Sequence, residues 1–271
     1  MKIAYLGKKF VPLNKAKIPI TDRGFLYGDG VFETMRAYDG AVFRLEKHTE
    51  RLFNSLKALH IRPPIAKTKI EKIVYQLLRK NRLKNAYTKV IVTRESKIAI
   101  YVLPVKSIPE KTYKKGIKVI VSTHRLNEKS GLAGHKTLNY LQNMLCRGEA
   151  EKKDAREAIL LNTNGFVSEA ASSNIFIVKE KKIFTPHLFC GILPGITREE
   201  VISLAKRFLK KKVNETYIRP RALYGADEIF LTNSLVEVLP VVKVGKYIVG
   251  EGTPGPVTKE LEKCYKNATR K

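Results

Sequence analysis

Lys136 carries the most reactive chemistry in this chain, within Gly131-Leu132-Ala133-Gly134-His135-Lys136-Thr137-Leu138-Asn139-Tyr140. Glu169 follows in Gly165-Phe166-Val167-Ser168-Glu169-Ala170-Ala171-Ser172-Ser173-Asn174. A lysine amine condenses with an aldehyde cofactor, and pyridoxal phosphate then serves as an electron sink for carbanion chemistry. That chemistry also needs an acidic partner that keeps the pyridine nitrogen protonated. Lys136 and Glu169 are the candidates for these two roles. The pair alone carries little weight, because most lysines sit on solvated faces. A third element adds to it. The stretch Gly191-Ile192-Leu193-Pro194-Gly195-Ile196-Thr197-Arg198-Glu199-Glu200 opens a helix with backbone amides, as a phosphate seat does.

The surrounding elements must place these groups. Residues 31–38, Asp39-Gly40 and residues 41–45 read as a hairpin, because Asp-Gly supplies the positive φ values of a tight turn. Side chains alternate along a strand, so Phe32, Thr34, Arg36 and Tyr38 share one face. An arginine beside aromatics suits a carboxylate next to an apolar group. The competing reading makes Arg36 a structural ion pair with Glu33 or Glu46. Helices are expected over 45–59 and 67–80, with Arg62-Pro63-Pro64 between them. Strands 90–93 and 98–103 follow, joined by Arg94-Glu95-Ser96-Lys97. A Pro- and Lys-rich break covers 104–116.

Beyond the break, the pattern predicts a strand over 117–123, a loop to 135, a helix over 137–152 and strands at 157–161 and 174–178. A short strand to 185, a helix over 196–212, strands at 228–232 and around 238–249, and a terminal helix from 256 complete it. There is no regular βαβ alternation, so the fold class is α+β. A chain of 271 residues exceeds the usual single core, which favours two domains sharing a cleft. The expected division is a small N-terminal domain over 1–115, a strand and interdomain loop over 116–135, and a larger domain over 136–271.

Lys+Arg total 52 against 25 Asp+Glu, a net charge of +27. Such an excess can serve nucleic acid, an anionic surface or anionic small molecules. Here the basic residues are scattered in short clusters such as Lys210-Lys211-Lys212, with no nucleic-acid motif, so a lysine-rich solvated exterior is the favoured reading. Cys146, Cys190 and Cys264 lack zinc or redox spacing and read as thiols of a reducing compartment. No metal site, signal peptide or bilayer-spanning run is visible, and a cytoplasmic protein is expected.

With these residues placed, the chain resembles the class IV aminotransferases, the fold-type IV branch of pyridoxal phosphate enzymes. That group holds branched-chain and D-amino acid aminotransferases and 4-amino-4-deoxychorismate lyases. The resemblance runs from Thr21-Asp22-Arg23-Gly24-Phe25-Leu26-Tyr27-Gly28-Asp29-Gly30-Val31-Phe32-Glu33-Thr34 to Asp227-Glu228-Ile229-Phe230-Leu231-Thr232-Asn233-Ser234. It implies a smaller N-terminal α/β domain and a larger C-terminal domain with a mixed, partly barrel-like sheet.

The resemblance implies that Lys136 carries the cofactor as a Schiff base and moves the α-proton. Glu169 pairs with the pyridine nitrogen. Tyr140 reaches the cofactor's phenolic oxygen, one helical turn beyond Lys136 if the helix has begun. Arg51 matches the phosphate-binding arginine, Ile196 and Thr197 supply amides and a hydroxyl to the phosphate, and Ser234 faces it from opposite. Taken singly, Arg51 and Thr197 also fit an ion pair and a helix terminus without a ligand. His48 and His135 have no ligand-spaced partners and read as structural.

The substrate wall implied by the family is Tyr27, Phe32, Arg36 and the turn Ser234-Leu235-Val236, mostly apolar with one cation. It suits transamination of a hydrophobic amino acid with a 2-oxo acid, the carboxylate lying near Arg36 or Arg94, with the enantiomer open. After Val92-Thr93-Arg94 the chain has only Glu95-Ser96-Lys97, without the Arg-x-His trap of familiar D-specific enzymes. The rival within the fold is the lyase, and the rival outside enzymology is a basic nucleic-acid-binding relative. By analogy a homodimer is expected, residues near Tyr27 completing the neighbour's site.

Overall fold

The computed structural model describes residues 1–95 and 97–270; Ser96, in the connection expected between two strands, lies outside the described residues. The chain divides into two compact units, residues 1–106 with 135–140 and Arg270, and residues 107–134 with 141–269.

The first unit opens with β1 (Ile3–Leu6) and β2 (Lys9–Pro12), then a short α1 (Arg23–Tyr27) capped by the Asp22 side chain. β3 (Gly30–Tyr38) turns into β4 (Ala41–Val42) through Asp39 and Gly40, at φ 47° and 88°. Positive φ at both central residues is what the Asp-Gly pair was expected to supply. Next come α2 (Leu45–Ala58), α3 (Lys67–Lys80), β5 (Ala86–Thr93) and β6 (Ile98–Pro104). The strands form one antiparallel sheet in the order β2-β1-β6-β5-β3-β4. Alternation sends Val31, Met35 and Ala37 into a core with Leu52 and Leu56 of α2 and Ile70 and Leu77 of α3. The opposite face carries Phe32, Thr34 and Arg36, cross-paired with Ile91, Lys89 and Tyr87 of β5.

The second unit contains α4 (Glu110–Lys115), β7 (Ile117–Leu126), α5 (Leu141–Lys152), β8 (Glu157–Asn162) and β9 (Val167–Ala170). β10 (Asn174–Lys179), β11 (Lys182–Pro186), α6 (Ile196–Phe208), β12 (Val213–Thr216) and α7 (Arg221–Tyr224) continue it. β13 (Glu228–Asn233), β14 (Glu237–Val244), β15 (Tyr247–Ile248) and α8 (Pro256–Thr269) end it. The sheet runs β12-β11-β10-β13-β14-β7-β8-β9, with β15 on β14. Its β11–β12, β14–β7 and β7–β8 pairs are parallel and the rest antiparallel, so it is mixed. β9 ends one edge yet packs back toward β10 and β11, which curls the sheet into a partly barrel-like form. The α+β, mixed-sheet architecture expected from the sequence is the one observed.

One expectation fails locally. The helix predicted from 137 starts only at Leu141. Residues 136–138 instead run along the outer edge of β3, where backbone groups need partners. The Leu138 amide donates to the Gly30 carbonyl at 2.9 Å, and Thr137 bridges Val31 in antiparallel fashion.

Candidate active site

In the first unit, the Lys136 backbone is fixed before its side chain is considered. Its carbonyl accepts from the Phe32 amide at 2.9 Å, so the residue is locked to the strand. The ammonium lies 4.5 Å from the centre of the Phe32 ring and 5.6 Å from that of Tyr140. Those two rings meet edge to face with centroids 5.5 Å apart. Tyr140 is therefore not a helical turn from Lys136, but the extended segment still brings the two against one ring. The sequence reading did not single out Lys89 of β5. Its ammonium stands 3.8 Å from the Phe32 centroid, and burial lowers its basicity against the opposing pull of the Glu33 charge. Lys89 reaches this face because it lies opposite Thr34, a register that spacing along the chain alone does not reveal.

Arg51 projects from α2 onto Glu33 of β3. Its Nε donates to one carboxylate oxygen at 2.7 Å and its Nη2 to the other at 2.9 Å. His48 Nδ1 lies 2.8 Å from the second oxygen, and all three side chains are largely or fully buried. Burial raises the Glu33 carboxyl, but Arg51 and His48 outweigh it and hold it well below the ordinary carboxylate range. Burial dominates for His48 and lowers it despite Glu33. An ionised carboxylate has only acceptors, so Nδ1 is the donor in this pair. Reading His48 as an isolated histidine missed this partner across the β3–α2 packing.

The Arg36 guanidinium lies 4.6 Å over the Tyr38 ring, and Tyr27 is 63% exposed with Arg23 over its ring. Arg94 is bound into the scaffold: its Nε donates to Asp29 at 2.6 Å, and Nη1 and Nη2 donate to the His60 and Leu59 carbonyls. His135 Nδ1 lies 3.3 Å from the Ser55 hydroxyl.

In the second unit, Glu169 sits on β9. One of its oxygens accepts from the Leu193 amide at 3.0 Å and from the Asn174 side chain at 3.2 Å. Asn174 also donates to the Leu193 carbonyl at 2.9 Å, which ties β10 to the turn before α6. A Cβ on Gly195, the N-cap of α6, would run into the side-chain oxygen of Asn174, a residue held by its bonds to Glu169 and Leu193. Ile196 and Thr197 begin α6 and are buried at 8% and 3% exposure, with no side-chain cap satisfying the helix amides. Farther on, Asn233 accepts from the Leu235 and Val236 amides at 2.8 Å each. Its amide nitrogen donates to the Ser172 carbonyl and the Ser173 hydroxyl. The turn that carries Ser234, Leu235 and Val236 is thereby fixed to the loop after β9.

Each unit by itself carries donors that suit parts of pyridoxal phosphate: in the first an amine for the aldehyde and an arginine for a phosphate, in the second an oriented carboxylate for a pyridinium and helix amides for a phosphate. Among the described residues no His, Cys, Asp and Glu group could hold a metal ion, and no helix is long and apolar enough to cross a membrane.

Residues 30–244 match the class IV amino-transferase family. A Methanocaldococcus jannaschii protein described provisionally as a branched-chain-amino-acid aminotransferase is 38% identical, covering 100% of this chain and 97% of that protein. The Escherichia coli K12 branched-chain-amino-acid aminotransferase is 32% identical, over 96% of this chain and 91% of its own. The T.th. branched-chain amino acid aminotransferase, solved with pyridoxamine 5'-phosphate, superposes with a TM-score of 0.94 at 29% identity, covering 100% of this chain and 95% of that one. The same enzyme has been solved with N-(5'-phosphopyridoxyl)-L-glutamate and with 4-methylvaleric acid. With the matching motifs spread over most of its length, the chain belongs to the class IV aminotransferases and is a pyridoxal phosphate-dependent transaminase.

Proposed function

We propose that this transaminase moves the amino group of a branched-chain or related hydrophobic amino acid to 2-oxoglutarate, with Lys136 as its catalytic amine. The observation that carries this reading is the Phe32 ring with Lys136 and Lys89 against it. Bound pyridoxal phosphate supplies an aldehyde for the amine and an electron sink for the carbanion. Lys136 Nζ would hold that aldehyde and would serve as the base that takes the proton from the substrate's Cα and later returns it. Its backbone bond to Phe32 holds the residue in place, and the Phe32 and Tyr140 rings lie beside the amine. Glu169, oriented by Asn174 and Leu193, would keep the pyridine nitrogen protonated. Arg51 from the first unit, and Ile196, Thr197 and Ser234 from the second, would hold the phosphate. Tyr140 would donate to the phenolic oxygen.

Phe32, Leu235 and Val236 supply apolar surface for the side chain of the donor. Arg36 and Lys89 share the β3–β5 face and supply two cations, which suits an acceptor with two carboxylates. Arg94 is tied to Asp29 and two carbonyls, and Arg36 stands on the same strand face as Phe32. The T.th. enzyme's complexes with a glutamate adduct and with 4-methylvaleric acid match both halves of such a reaction. Phe25, Leu26 and Tyr27 of α1 are at least half exposed, which supports a homodimer in which Tyr27 completes the neighbour's site.

The test is the visible spectrum of the purified holoenzyme during single half-reactions. L-leucine, L-isoleucine or L-valine should convert the cofactor to its amine form, and 2-oxoglutarate should restore the starting spectrum. Conversion by D-amino acids alone would reverse the enantiomer. A spectrum that no amino acid changes would transfer the assignment to the lyase.

A further inference from the structure

Glu33 is the one charged residue in a strand row otherwise built of Val31, Met35 and Ala37, all core residues. Burying a charged pair rarely stabilises a fold more than apolar side chains of similar volume would. The Glu33–His48–Arg51 cluster therefore calls for a purpose besides cohesion. Its geometry supplies one. The bidentate bonds from Arg51 fix the plane of the guanidinium, and the His48 proton on the shared second oxygen keeps the carboxylate from rotating. Arg51, at 11% side-chain exposure, is the member of the cluster that reaches the surface of the unit.

We propose that Glu33 and His48 are positioning residues for cofactor binding: they hold the Arg51 guanidinium in the single orientation that docks the cofactor phosphate. The proposal rests on the reading of Arg51 as a phosphate ligand. Its chemistry is preorganisation. An arginine on a helix surface loses rotamer freedom when it grips an anion, whereas one already locked by a buried carboxylate has lost it on folding. The imidazole adds a second donor to the carboxylate that Arg51 grips.

The experiment compares the affinity of the full-length apoenzyme for pyridoxal 5'-phosphate with that for pyridoxal, which lacks the phosphate. Both are titrated by the absorbance of the bound cofactor. The ratio isolates the phosphate contacts from the rest of the site. Arg51→Ala should collapse it. Glu33→Gln should cut the ratio roughly 10- to 100-fold, the range seen when a partner that orients a ligand-binding group is removed. His48→Leu should do the same, while His48→Asn, which can place a donor near the Nδ1 position, should retain most of the preference. In an Arg51→Ala background, Glu33→Gln should leave the ratio unchanged, because its effect passes through Arg51.

Equal weakening of both ligands, or an unchanged ratio in Glu33→Gln, would reduce the cluster to a structural role and overturn the proposal, with Arg51 untouched. An undiminished ratio in Arg51→Ala would overturn the phosphate assignment itself. Should Glu33→Gln fail to fold, the contrast between His48→Leu and His48→Asn decides the matter.

Discussion

Lys136 is joined to Phe32 twice: its carbonyl accepts the Phe32 amide at 2.9 Å, and its ammonium stands 4.5 Å from the Phe32 ring centre. The first contact sets the backbone and the second the side chain, so strand β3 determines where the amine points. A lysine on a free loop would search many rotamers before reaching a cofactor. This one is delivered by a strand edge.

Lys136→Ala should lower turnover by roughly 10⁴-fold or more, because it removes both the covalent anchor and the proton carrier. The backbone bonds to β3 remain, so thermal unfolding should shift little. Steady-state turnover together with a melting curve checks this, and residual activity near wild type would rule out the role.

Lys89→Gln should act on one substrate only. Losing a charge-assisted contact to a second carboxylate raises KM for 2-oxoglutarate by roughly 10- to 100-fold. The half-reaction with L-leucine should change far less. Parallel loss with both substrates would place Lys89 in general support of the Phe32 ring.

Gly195→Ala should weaken cofactor binding and lower stability by about 1–3 kcal/mol, the usual cost of overpacking. The new methyl would press on the Asn174 oxygen, and Asn174 orients both Glu169 and the turn before α6. Denaturant unfolding and cofactor titration of the same preparation report the two effects.

Glu149→Gln tests the second unit in acid. Burial raises this carboxyl, but donors from Ser122, Lys153 and the Thr123 amide outweigh it and bring it down to about 2 from an ordinary value of 4.5. A carboxyl depressed in the folded state contributes stability that is full above the unfolded value and is lost as pH falls through the folded one. The wild type should therefore lose this contribution between about pH 4.5 and pH 2. The glutamine variant should be less stable at neutral pH by about 2 kcal/mol and show a flatter decline over that window. Melting temperature against pH reads both.

The sequence made the helix Lys67–Lys80 and the Asp39-Gly40 hairpin legible because each rests on local rules, a repeating apolar stripe and a turn that needs positive φ. The expected helix start at 137 failed where a tertiary demand, the open edge of β3, overrode a local pattern. The six-residue α4 lay hidden in the Pro- and Lys-rich break, being too short to show periodicity. For the site, the family motifs marked the residues proposed to touch a cofactor. They gave no sign of the neighbours around them: His48 meets Glu33 only once α2 packs on β3, Lys89 joins the Phe32 face only through register, and Asn233 bonds to a loop distant in sequence.

The assignment of residues 135–140 to the first unit makes that unit discontinuous in sequence, since 107–134 belong to the second. No single break in the polypeptide separates the two. During synthesis, the edge of β3 beside Val31 waits for residues made only after the opening elements of the other unit. A gene cut after residue 106 would yield a sheet with its edge strand unpaired at that point and without Lys136, so the two units cannot be exchanged or expressed as independent modules without dismantling the first.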